Sequence, residues 1–290
     1  MYSSKQFREM IKQVYKFLNP SFQNLFLEYR VCLKPRYGHG APPHPGLYRI
    51  INANRDFYRE LLKRVYQYRD RIVEIKDIAD ESDNNKPAWN NGFLPGMDMV
   101  AIYLMLAEFK PGRYIEVGSG YSTRVAYKAI KDLGLKTEII SIDPQPRSGV
   151  EKLAGRIIKK PLENVEMDIP GMLGKNDILF MDGSHRILPN SDCMVFFMEI
   201  LPELQKGTIV HIHDIYIPYD YPQVMCDRFY SEQYGLAAYL LANPARFEIL
   251  LPNWFISEDT ELAAILDPLW VEKSLRNVER HGGSFWFRVS

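Results

Sequence analysis

From residue 97 onward the sequence alternates between short apolar strands and helices, and this alternation is the strongest constraint on its fold. Residues 97–109 (MDMVAIYLMLAEF) have the length and composition of a helix, and 113–117 read as a strand. A helix over 122–133 ends before Gly134, and the second strand, TEIISID, ends at Asp143. A short third strand covers 156–160, a fourth ends at Asp182 and a fifth at Asp214, with helices near 191–205 and 222–242. Repeated βα units imply a mostly parallel sheet covered on both faces. After a helix near 258–267, the late strands 246–253 and 284–289 are expected to form an antiparallel C-terminal edge.

Residues 1–95 have another character. Apolar residues at helical spacing run through 4–33, with a break near Pro20, and again through about 51–78. Loops rich in Gly, Pro and Asn separate them, so the expected division is a helical appendage over 1–95 and an α/β domain over 96–290. With 46% hydrophobic residues the chain can bury a large core, and equal numbers of acids and bases argue against a nucleic-acid partner. Three dispersed cysteines form no CxxC, which disfavours a disulfide framework or a cysteine zinc site. No uninterrupted apolar run suggests a signal peptide or a membrane span, so a cytoplasmic protein with no membrane partner is expected.

In open α/β sheets ligands bind beyond the carboxyl ends of the strands. The first strand ends in EVGSGYS, giving Glu116, Gly118, Ser119 and Gly120, and the stretch through the following helix resembles a nucleotide-binding crossover. Glycines let the backbone turn sharply and approach a ligand. Asp143, at the second strand's end, is placed to accept hydrogen bonds from ribose hydroxyls. A dinucleotide fingerprint would need glycine where Thr123 stands, so a pyrophosphate cradle is poorly supported.

EVGSGYS followed by ISID resembles the class I S-adenosylmethionine-dependent methyltransferases, departing from their motif only at Ser122. The resemblance covers about residues 97–290 and implies a Rossmann-like fold with S-adenosylmethionine as cofactor. It places Gly118 and Gly120 beside the methionine part with Glu116 near it, Asp143 on the ribose, and PLENV (161–165) near the adenine.

The fourth and fifth strands end in FMDGSHR and HIHDIY, which bring Asp182, His185, His213 and Asp214 towards one cleft. Asp182 is also placed to orient the amino group of the methionine part. Carboxylates and imidazoles together can hold a divalent cation, which would activate a hydroxyl. The arrangement is similar to metal-dependent O-methyltransferases of the catechol and caffeoyl-CoA type. By that resemblance Asp182, His213 and Asp214 would bind magnesium or manganese, and His185 would be the base. His213 stands where an oxygen ligand is usual, which favours manganese, iron or zinc over magnesium. His211 reads as a core histidine. Trp89, Phe93, Tyr216, Tyr219 and Tyr221 are candidates for an aromatic rim around a small-molecule or sugar acceptor. Two other readings remain at this point: a nicotinamide-dependent dehydrogenase, and a non-methylating nucleoside-binding relative that serves as a partner or scaffold.

Overall fold

A computed structural model describes residues 4–290. It divides into two compact units, Met1–Lys34 and Pro35–Ser290. In the first unit, the helix α1 (Ser4–Leu18) stops just before Pro20, as its sequence predicts, and no regular element follows within the unit.

The division therefore falls well before residue 95. Residues 35–95 belong with the sheet because their apolar faces are spent on its core. The helices α2 (Pro45–Asn52), α3 (Arg55–Lys63) and α4 (Arg69–Val73) bury Leu47, Ile51, Tyr58, Leu61, Leu62 and Ile72 in the core that also contains the sheet residues. Asn54 donates from Nδ2 to the carbonyl of Ile249, 2.7 Å away. The single helix expected over 51–78 is three pieces with a 3-10 turn between, although its apolar periodicity survives.

The sheet of the second unit has seven strands: β1 (Arg113–Val117), β2 (Glu138–Ile142), β3 (Arg156–Ile158), β4 (Ile178–Met181), β5 (Ile209–Ile212), β6 (Phe247–Pro252) and β7 (Phe285–Val289). Their order is β3-β2-β1-β4-β5-β7-β6. β1 to β5 pair in parallel, while β7 lies antiparallel between β5 and β6. This is the mostly parallel, Rossmann-like sheet with an antiparallel edge that the alternating pattern implies. β4 and β5 are buried along their whole length, as strands covered on both faces must be.

Helix α5 (Gly96–Phe109) is buried almost all round, from Gly96 to Ala107. Its first turn is fastened to the approach to β7: Gly96 and Met97 donate to the carbonyls of Glu279 and His281 at 2.7 and 3.2 Å. Helix α6 (Tyr121–Leu133) follows the glycine turn, and Gly134 at φ 62° ends it. The long helix expected near 222–242 is interrupted. Only Gln223–Cys226 and α7 (Glu232–Ala242) are helical, with Phe229 at φ 59° between them.

Candidate active site

A cavity of about 970 Å³ opens at the carboxyl ends of β1, β2, β4 and β5. The switch in strand order on either side of β1 creates this crevice, which is where such sheets bind ligands. Its lining includes Gly118, Ser119, Gly120, Asp143, Asp182, His185, His213 and Asp214, so one space collects almost every expected site residue.

Gly118 sits at φ 81°, and a Cβ there would lie 2.0 Å from the carbonyl oxygen of Asp182. The ends of β1 and β4 thus approach as closely as they do only because residue 118 lacks a side chain. Asp143 organises the turn: one carboxylate oxygen accepts from both the amide and the hydroxyl of Ser119 at 2.8 Å, and the other accepts from the Gln145 amide at 2.7 Å. Pro161, Leu162 and Glu163 line the same end of the cavity. Above it Phe93 stacks on Tyr121, with ring centroids 6.0 Å apart, and the Arg147 guanidinium lies 3.5 Å from the Phe93 ring centre.

Glu116 does not line this cavity. It is fully buried, accepting from the Thr123 hydroxyl at 2.6 Å, from Ser122 at 3.3 Å, and from Ser141, its register partner on β2. Burial pushes its carboxyl up to about 7, while the three hydroxyls work the other way. It fastens the start of α6 to the sheet from beneath the turn.

At the chemical end two histidines face two carboxylates. His213 Nδ1 lies 3.6 and 3.5 Å from Asp182 and Asp214, and His185 Nε2 lies 3.7 Å from each. Each ring has its far nitrogen held by a buried carboxylate: His213 Nε2 is 3.2 Å from Asp98, and His185 Nδ1 is 2.6 Å from Glu232. Asp98, in the first turn of α5, also accepts from Asn253 Nδ2 and from the amides of Gly283 and Ser284. Tyr230 stacks on His185 with centroids 4.5 Å apart. His185 and Asp214 both adopt left-handed backbone, at φ 63° and 56°, a conformation that non-glycine residues hold only where the surroundings enforce it.

Burial works to lower the His185 pKa, but Glu232, then Asp182 and Asp214, outweigh it and raise it to about 9. His213 is likewise raised well above the usual value, against its burial, by Asp182 and Asp214. Asp182 is lowered to about 2, against its burial, by His213 and His185. Both rings are thus pushed towards their protonated forms, and each lies near both Asp182 and Asp214. The raised His185 differs from an imidazole near its usual pH 6.5. Asp182, His213 and Asp214 meet in one cluster, and among the described residues no three His, Cys, Asp or Glu side chains stand in position to hold a metal ion.

His211 is a core residue, stacked on Phe180 at 3.8 Å with Nε2 2.7 Å from the Ser284 hydroxyl. Of the expected rim, Phe93 and Tyr216 reach the cavity, while Trp89, Tyr219 and Tyr221 are not among its lining. Asp98, Glu232, Tyr230, Arg147 and Arg228 are missing from the sequence reading. Only tertiary folding brings them to the site, and none belongs to a motif at a strand end.

Residues 115–215 match a family described as a methyltransferase domain. An uncharacterized protein of Archaeoglobus fulgidus is 27% identical over 137 residues, which is 44% of this chain and 60% of that protein. The chain thus spans about three fifths of the length of the curated relative it matches. The S-adenosylhomocysteine-bound methyltransferase PaMTH1 of Podospora anserina is 14% identical, covering 88% of this chain and 100% of its own at a TM-score of 0.43. The plantazolicin methyltransferase BpumL, also solved with S-adenosylhomocysteine, is 14% identical, covering 83% and 99% at a TM-score of 0.41. The matched segment runs from within β1, through the glycine turn, to just past Asp214, so it holds both ends of the candidate site.

Proposed function

We propose that this protein transfers the methyl group of S-adenosylmethionine to a hydroxyl of a small molecule or sugar. The observation that carries this reading is that one cavity joins the glycine turn and Asp143 to the cluster of Asp182, His185, His213 and Asp214. In the reaction the methyl C–S bond breaks, a C–O bond forms to the acceptor, and S-adenosylhomocysteine leaves. The hydroxyl proton passes to His185 Nε2, and Asp182 and Asp214 hold the imidazolium so formed. For this the ring must first be neutral.

A divalent cation is the finer part of the proposal. The donor types suit manganese, iron or zinc, and ligand histidines commonly have their far nitrogen held by a carboxylate, as Asp98 and Glu232 do here. Among the described residues no three donors are positioned to hold the ion as folded, so side chains would have to move; Asp182, His213 and Asp214 would then hold it. When bound it would acidify the acceptor hydroxyl. Ion and ring protons compete for one place, so loading should release protons.

Calorimetry with S-adenosylhomocysteine tests the cofactor. We expect a dissociation constant on the order of micromolar, weakened about 10- to 100-fold by Asp143→Ala, which removes a charged acceptor. No heat on folded wild-type protein would refute the proposal, and tighter binding of a nicotinamide dinucleotide would favour the dehydrogenase. Tight binding with no turnover across hydroxylated acceptors would favour the scaffold.

A further inference from the structure

We propose that α1 is an interfacial helix that lays its apolar side on an anionic membrane surface. The inference is independent of the methyl-transfer reading. At 3.6 residues per turn, Met10, Ile11, Val14, Phe17 and Leu18 fall within an arc of about 120°. Arg8, Lys12 and Lys16 form a stripe on the opposite side of the helix. The apolar side chains are largely exposed: Ile11 is 51% exposed, Val14 52%, Phe17 57% and Leu18 72%, and the Phe17 ring meets Phe26 edge-on with centroids 6.2 Å apart. The exposure continues beyond the helix to Phe26, at 75%. Of the 22 large apolar side chains exposed among the described residues, 12 lie between Met10 and Val31. A surface this apolar needs an occupant.

Charge selects which one. Residues 1–34 hold six cations against Glu9 and Glu28, whereas the whole chain is neutral. An apolar arc with a basic stripe on the opposite side matches a lipid surface with acyl chains below and anionic headgroups above. A second copy is the poorer fit, because it would bring the same excess of cations and leave that charge unmatched. The helix has 15 residues, short of the roughly 20 that cross a bilayer, and no helix among the described residues is long and apolar enough to span one. Lying in the surface needs no span, so the expectation of no membrane partner, which rested on the lack of one, does not bear on it.

The test is co-sedimentation of the full chain with phosphatidylcholine vesicles, with and without roughly 30% phosphatidylserine. We expect binding to the anionic vesicles at least about tenfold tighter than to the neutral ones, and release at high salt. Lys12→Glu with Lys16→Glu should weaken it about tenfold, and Ile11→Asp with Phe17→Asp should abolish it, with the thermal unfolding of the sheet unit unchanged. The salt series on the wild-type chain decides the matter even if a variant misfolds. Equal binding to both vesicle types would overturn the proposal. So would no binding at all, whether or not sedimentation finds a dimer that Phe17→Asp dissociates.

Discussion

At the scale of single residues, the state of two protons makes the site. His185 shares its proton with three carboxylates, and the pKa near 9 means that only a small fraction of rings is free to act as base at neutral pH. Without a divalent cation, turnover should therefore climb with pH until about 9, and His185→Gln should lower it about 10²- to 10⁴-fold while leaving S-adenosylhomocysteine affinity intact. A pH–rate profile for both proteins checks this; a wild-type plateau from pH 7 would remove His185 from the role. Glu116 behaves differently. Its carboxyl titrates near 7 when folded and near 4.5 when unfolded, so across that window the folded protein holds a proton that the unfolded chain has lost. Stability should fall as pH rises from about 4.5 to 7, by an amount on the order of 3 kcal/mol. Glu116→Gln should flatten that slope in thermal melts taken from pH 5 to 8. The motif places Glu116 at the end of β1 but is silent on face. Side chains alternate along a strand, and Glu116 points to the side that α6 covers, where Thr123 and Ser141 take it up. Asp143 and Asp182 lie just past their strands, where the chain has left the sheet, and position along the sequence suffices to find them.

At the scale of elements, strands are legible to within two residues because buried β-branched runs between glycine and proline leave little latitude. Helix continuity is not, since apolar periodicity persists through a break. The interruption at Asp227–Ser231 is the clearest case. It seats Tyr230 on His185, lets the Ser231 amide donate to the His185 carbonyl at 2.9 Å, and starts α7 with Glu232 aimed at the ring. A continuous helix would carry all three residues elsewhere. The junction of β1 with β4 at Gly118 is a second element-scale constraint. Gly118→Ala would combine left-handed strain with a clash against the Asp182 carbonyl, and should cost more than about 2 kcal/mol in chemical denaturation. Gly134→Ala, also left-handed but with open space around it, should cost about 1 kcal/mol. Equal losses at the two positions would show that strain alone matters and that the close approach of the strands does not.

At the scale of the whole molecule, the sheet is built out of chain order. β7 enters between β5 and β6, and the amides of Gly283 and Ser284 at its start close the hydrogen bonds of Asp98, which in turn holds His213. Removing residues 283–290 should leave a chain that binds no S-adenosylhomocysteine and exposes apolar surface to a hydrophobic dye, because two strands lose their neighbour and a buried carboxylate loses two donors. A truncated chain that still melted cooperatively and bound the nucleoside would contradict this. The same arrangement has a bearing on how the protein is made. Synthesis runs from the N-terminus, and domains commonly begin to fold as they emerge from the ribosome. Here β5 must wait, one edge unpaired, until residue 289 has emerged. For that interval the nascent chain offers a bare strand edge to its surroundings, and a chaperone that covers such edges should raise the yield of active protein more than a faster rate of synthesis would.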